Sequence, residues 1–183
     1  IEMVSAWASA NQLVLGQVKV DDKSNEITAI PELLRVLEVS GCIVTIDAIG
    51  CQKDIAATIV DKEADYILAL KENQGHLYED VVKLFDDLVE SKFKAYVYSH
   101  DRKVNKDHGR LEIRECWVIA DPKVLIHLRN VGEWKGLQSV VKVQAERRIG
   151  ADVTVKDRHF ISSLDGDAQR LLEAVRTQWS IEN

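Results

Sequence analysis

Cysteine is scarce and poorly placed for pairing. Cys42, Cys51 and Cys116 are odd in number, and no two of them form a CxxC pair. That spacing argues against a disulfide framework and against a thiolate zinc site, so a reducing, cytosolic compartment is expected. Cys42 stands in an apolar run and is expected to be a small core residue. No apolar run approaches the ~20 residues of a helical membrane span, and no membrane partner is expected. A basic-then-apolar leader is missing at the N-terminus, so nothing argues for secretion. The chain lacks a GxGxxG turn, a P-loop and a GxSxG elbow, which weakens any reading as an α/β enzyme with a small-molecule site. It begins at Ile1 and stops two residues after the apolar Ile181. Both ends read as cuts through structure, and a fragment is expected.

What is present is ordinary for a globular domain. The 183 residues are enough for one well-buried core, and 46% hydrophobic with 30% charged residues argues against disorder. Net charge is −6 but uneven. Residues 1–91 hold 7 basic and 17 acidic residues (−10), and residues 92–158 hold 15 and 9 (+6). A basic middle on an acidic chain is either a solvated surface or a nucleic-acid-facing segment.

Periodicity predicts strands at Val4–Ser9 and Leu13–Val20, then a helix over Pro31–Val39 with Pro31 in its first turn and Gly41 as its stop. Cys42–Ile46 is a continuous apolar, β-branched run, as expected of a strand covered on both faces. A helix over Gln52–Lys62, a strand over Asp65–Leu70 and an amphipathic helix over His76–Ser91 follow. Residues 100–110 read as a polar, basic loop leading into a strand at Leu111. Two more strands, within 137–149 and 153–164, flank a turn at Gly150, and a closing helix covers Asp167–Asn183. Alternating strands and helices favour a mixed sheet with helices on its faces. Functional groups then gather beyond the carboxyl ends of the parallel strands.

Asp47 stands at one such end, in "VTIDAIGCQ". A carboxylate directly after a buried strand is either a ligand or a cap, since it is costly to desolvate unpaired. Five residues separate it from the next helix, long for a direct cap. Glu182, in "RTQWSIEN", sits on a helix end of mixed polarity, with Trp179 on its side of the helix as packing.

The strings "VSAWAS", "LGQVKVDDKSNEITAIPELL", "GCIVTIDAIGCQKDIA", "ADYILALKENQ", "HGRLEIRE" and "VRTQWSIEN" span almost the whole chain in order. Together they resemble the H-repeat-associated type of insertion-sequence transposase, a bacterial member of the DDE superfamily. The resemblance implies a single ribonuclease H-like domain over 1–183, with a β-rich insertion at about 92–165 before the last helix. It implies three acidic residues around two divalent ions, Mg²⁺ or Mn²⁺, of which Asp47 is the second and Glu182 the third. The first belongs to a "DGK"-type strand that precedes the "VSA" strand in that family. No such strand is found in this chain, and Asp21 and Asp22 are poor substitutes. The first core strand is therefore expected to be absent, leaving its slot to unseen residues, to a neighbouring chain, or to strands that close up.

Hard divalent ions want carboxylate oxygens, and two of them about 3.5–4 Å apart suit in-line displacement at phosphorus. The implied activity is hydrolysis and strand transfer at insertion-sequence ends. With two of three carboxylates, this chain alone is expected to be inactive. The alternative is a non-catalytic, transposase-derived DNA-binding or dimerisation module. Implied partners are DNA (terminal repeats and target) and a second copy of the chain, in a bacterial cytoplasm at the nucleoid. For phosphate contact the candidates are Lys71 in "LKENQ" and Lys103, Lys106, His108, Arg110 and Arg114 around "HGR". Each also has a plain reading, as a helix start or as solvated charge at a hairpin tip. Arg147 and Arg148 would extend the basic surface on opposite sides of one strand.

Overall fold

A computed structural model describes residues 2–8, 13–20, 26–107 and 109–179. Strands β1 (Glu2–Ala8) and β2 (Leu13–Val20) pair antiparallel as a two-stranded sheet of their own. Helix α1 (Glu26–Val36) packs against this ribbon. It starts before Pro31, which lies inside the helix instead of in its first turn. The cost is one helical hydrogen bond, to the Ile27 carbonyl near the exposed N-terminal end. Gly41 (φ 73°) comes after the last helical residue, Val36, and shapes the turn into the next strand. The carbonyls at the end of α1 are capped from outside. Lys62 Nζ donates to Leu34, Arg35 and Leu37 oxygens at 2.6, 3.0 and 2.6 Å.

β3 (Ile43–Ile46), α2 (Lys53–Asp61), β4 (Asp65–Leu70) and α3 (Gly75–Glu90) follow close to their sequence-predicted bounds. Then come β5 (Ser99–Asp107), β6 (Arg110–Ile119), the single turn α4 (Pro122–Leu125), β7 (Ser139–Ile149), β8 (Asp152–Ser162) and α5 (Ala168–Trp179). The main sheet has six strands in the order β3-β4-β8-β7-β6-β5. Only β3 and β4 are parallel, and every other neighbouring pair is antiparallel. A ribonuclease H-like mixed sheet flanked by helices is thus what the chain builds.

Two apolar clusters sandwich the sheet. On one face α1, α2 and α3 bury Leu34, Ile55, Ile59, Leu77, Val81 and Phe85 against Tyr66, Leu68 and Leu70 of β4. On the other, α5 buries Leu171, Leu172 and Val175 against Ile67, Cys116, Val118, Val141, Val143 and Phe160. Alternate residues of β4 therefore serve opposite cores, as an apolar run covered on both faces should.

Three expectations need correction. β3 is equally apolar, yet all four of its residues are only half-buried, because it is the edge strand of the described sheet. The β1–β2 ribbon does not pair with it, so the strands do not close up over the slot the resemblance leaves there. Cys42, just before β3, is exposed, while Cys51 and Cys116 are the buried cysteines. Finally, the basic segment after residue 99 is a strand, not a loop. "SHDRKVNKD" has one apolar residue, Val104, so no alternation marks it. Pairing with β6 along its full length makes it β5.

Candidate functional site

Parallel pairing of β3 with β4 brings their carboxyl ends together, since Ile46 lies opposite Leu68. Asp47 therefore stands level with Ala69, two residues short of Lys71. The Asp47 side chain is exposed, and its Oδ1 accepts a hydrogen bond from Ile49 N at 3.2 Å. This is turn chemistry, and it leaves the N-cap of α2 to Gln52, whose side chain makes no capping bond. One carboxylate oxygen thus orders the turn and the group still faces solvent.

The turn is fixed from two further directions. Gly50 is buried, and a Cβ there would lie 2.2 Å from Ile46 Cγ2 and 2.9 Å from Ile30 Cδ1. Only glycine lets the backbone fold so closely onto β3. From the loop after β4, Asn73 Nδ2 donates to the Ala48 carbonyl at 2.7 Å and Gln74 Nε2 to the Cys51 carbonyl at 2.8 Å. "LKENQ" is therefore a staple as well as a site candidate. The signal in the sequence is a pair of carboxamides just past a strand's end. Cys51 beneath the turn is fully buried, and burial pushes its thiol up to about 12. It contributes packing and no nucleophile. Lys71 is exposed at the start of a short 3₁₀ turn, Glu72–Gln74.

Side alternates with position along the strands. Ile43 packs with the α5 cluster, whereas Val44 and Ile46 pack with the other. Ile67 and Ala69 of β4 likewise belong to the α5 side. Asp47 and Lys71 are the next members of these two series. Helix α5 covers this same face and contacts β3 as well as β5 and β6. Its first residue, Ala168, donates from N to Ser99 Oγ at 3.1 Å, at the beginning of β5. Arg176, two turns on, donates from Nη2 to the Asn105 carboxamide oxygen at 3.2 Å, near the end of β5. Through the chain of antiparallel pairs, β5 points the same way as β3 and β4. Ser99 shares a register row with Val118, Val141, Phe160 and Ala69, the residue level with Asp47, so α5 starts at the height of Asp47 and runs along β5 past that strand end. Glu182 and His108 lie outside the described residues, and Trp179 is the last residue of α5.

Leu70, His159, Lys142, Trp117 and His100 form one row across the sheet, and β4 ends there. The β5–β6 and β7–β8 hairpins continue well past that row, with strand segments 101–107, 110–116, 143–149 and 152–158 projecting beyond the site edge. Lys103, Arg110 and Arg114 share the α5 face of this projection, while Lys106 is on the opposite face, because it sits at the other parity of β5. Their charge is partly compensated. Lys103 lies 3.6 Å from Asp101, and Glu112 is shared by Arg110 at 3.1 Å and Arg114 at 3.0 Å.

Among the described residues no three His, Cys, Asp or Glu side chains converge. The described part of the site supplies one exposed, hard carboxylate, Asp47, which suits a divalent cation of the Mg²⁺ or Mn²⁺ type as one ligand of several.

A family model described as the transposase DDE domain matches residues 1–183. A protein of Escherichia coli (strain K12) named "H repeat-associated putative transposase YhhI" is 40% identical over the whole chain. One of Escherichia coli O157:H7 named "Putative transposase YncI" is 43% identical, again over the whole chain. These alignments cover 48% and 46% of the two relatives, so the chain spans about half their length. No solved structure matches the chain.

Proposed function

Because the chain belongs to the transposase DDE-domain family, we propose that its Asp47 is a ligand of a divalent metal in a DNA-cutting and strand-transfer site, with Glu182 as a second ligand. The observation that carries this reading is the sheet face that α5 covers. The helix leading to Glu182 contacts β3 and covers the sheet face to which Ile43 and, by alternation, Asp47 belong.

In this reading each group has a defined task. Asp47 offers a carboxylate already oriented by the Ile49 amide, so little side-chain freedom is lost on binding. The Asn73 and Gln74 bonds hold the turn at the height of the neighbouring strand end. Lys71 balances the negative charge of the scissile phosphate from the adjacent strand. Lys103, Arg110 and Arg114, together with His108, make contacts to the phosphodiester backbone that position DNA without reading its sequence. Mg²⁺ or Mn²⁺ would supply activation of water or a 3′-hydroxyl and stabilisation of the leaving oxygen. The DNA partner is the insertion-sequence end.

Two of the three carboxylates of the family are found in this chain, and a pair of ions held by two would be bound weakly. We accordingly expect no strand cutting from these 183 residues alone. Measurable Mg²⁺-dependent cutting by them would contradict that. The ligand assignment is tested by calorimetric titration with Mn²⁺. Asp47→Ala should weaken binding at least about tenfold, as loss of a charged ligand requires. Equal binding by parent and variant would remove Asp47 from the metal site.

A further inference from the structure

The projecting part of the main sheet has two unlike faces. On the side away from α5, Val104, Ile113 and Val155 share one row with Glu146, and the cations Arg102, Lys142 and Arg148 each have a carboxylate partner in Glu115, Asp157 and Glu146. On the α5 side, one row reads Lys103, Arg114, Ala145, Lys156 across four strands. It contains three cations and no acid, although Lys103 and Arg114 have carboxylate partners, Asp101 and Glu112, in the flanking rows of this face. Arg158 stands one row below it and Arg147 one row above, both on this same face. Arg147, Lys156 and Arg158 are exposed, and none of them belongs to the "HGR" segment that the sequence singles out.

Position makes the row more than a patch of charge. β8 neighbours β4, and Arg158 and Lys156 lie just beyond the point where β4 ends and Lys71 begins. Adjacent strands are about 4.8 Å apart, so the row extends roughly 15 Å sideways from that point. The cations therefore start beside the Asp47 edge and lead away from it, on the side that α5 also borders. Exposed Arg147, Lys156 and Arg158, with half-buried Arg114 and Lys103 beyond small Ala145, suit a regularly spaced polyanion lying across the strands.

We propose that duplex DNA lies along the α5 face of the β5–β8 projection, its phosphates contacted by Arg158, Lys156 and Arg147 and, nearer α5, by Arg114 and Lys103. This tract rests on the reading of the chain as a DNA-processing domain, but it requires no metal and no chemistry. It assigns phosphate contact to three residues of β7 and β8 and withdraws it from Lys106 on the other face.

The test is binding of an arbitrary-sequence DNA duplex to the 183-residue chain in EDTA, read by fluorescence anisotropy from 50 to 200 mM salt. For duplex DNA, log affinity falls with log salt with a slope of about −0.9 per phosphate contact. The triple variant Arg147→Gln/Lys156→Gln/Arg158→Gln should bind at least about tenfold more weakly at 50 mM salt, with a slope shallower by about 2 to 3. The opposite-face double variant Lys106→Gln/Arg148→Gln should keep the parent slope to within about one contact. Charge-conserving Arg147→Lys/Arg158→Lys should restore most of the affinity, and it does so only if the triple variant failed through lost charge and not through misfolding. No salt-dependent binding by the parent, equal losses in the two glutamine variants, or no loss in the triple variant would each overturn the tract. A tract that fails while Mn²⁺ binding still depends on Asp47 leaves the metal site intact. Face-selective binding with Mn²⁺ indifferent to Asp47 overturns the metal site alone.

Discussion

Asn73 reaches from the loop after β4 to the loop after β3 and donates its side-chain amide to the Ala48 carbonyl at 2.7 Å. The two strand ends that carry Lys71 and Asp47 are thereby tied to one another by side chain as well as by the ladder. Ala48 is buried, so its carbonyl has little water to fall back on.

Asn73→Ala should therefore cost about 1–2 kcal/mol, the penalty of a buried acceptor left unpaired. Urea unfolding measures this. Amide hydrogen exchange at Ile49 to Cys51 should speed up in the variant while the α5 core keeps its protection.

Gly50→Ala should be among the more damaging single substitutions in the chain, by about 1–3 kcal/mol of overpacking. Its methyl meets Ile46 Cγ2 at 2.2 Å and Ile30 Cδ1 at 2.9 Å, both in side chains that the cluster around α1 holds in place. Because the clash is with Ile46, the double variant Gly50→Ala/Ile46→Ala should be less destabilised than the sum of the two single changes. Additive losses would place the strain elsewhere.

Lys62→Met should cost about 1.5–3 kcal/mol, since one ammonium serves the carbonyls of Leu34, Arg35 and Leu37 at the end of α1. Loss of helical circular dichroism ahead of global unfolding would locate the damage at α1, the helix that supports the β1–β2 ribbon.

Acid stability should carry the signature of His159. Burial holds its imidazole down at about 4, helped by the neighbouring Lys142 ammonium, against an ordinary value of 6.5. Tyr78 and Phe85 enclose the ring from α3. With a folded value below the unfolded one, the unfolded chain binds the proton first. The contribution is therefore complete above pH 6.5 and is lost as pH falls from there to about 4, and it amounts to at most about 3 kcal/mol. His159→Gln should flatten the stability profile across that window. An unchanged slope would show that the ring is not held neutral by the fold.

Much of the architecture was legible because it rests on periodicity. The β4 run and the α3 stripe of Leu77, Val81, Leu84, Phe85 and Leu88 are bounded and buried nearly as their patterns imply. β5 was not legible, since its residues carry no apolar alternation and its strand state comes from pairing with β6. Nor was the exposure of Cys42 and β3, because an apolar run records what a strand is built to be covered by and not whether that cover is present. At the site, Asp47 and Lys71 were visible as polar residues ending apolar runs. The Asn73 and Gln74 staple, and the division of the basic residues between two faces, depend on register, which the charges alone do not encode. The β8 cations Lys156 and Arg158 are illegible for the same reason, whereas Arg147 is already visible in the sequence as an extension of the basic surface. Arg147 joins Lys156 and Arg158 on one face only when β7 and β8 pair.

Whether residues 47 and 182 hold one ion can be read from paramagnetic broadening. Substoichiometric Mn²⁺ added to the isotope-labelled chain should bleach the amide signals of residues 46–51 and 180–183 together, with those of 122–130 unaffected. In Asp47→Asn both sets should persist. Broadening confined to one of the two segments, or centred elsewhere on the chain, would mean that they share no metal.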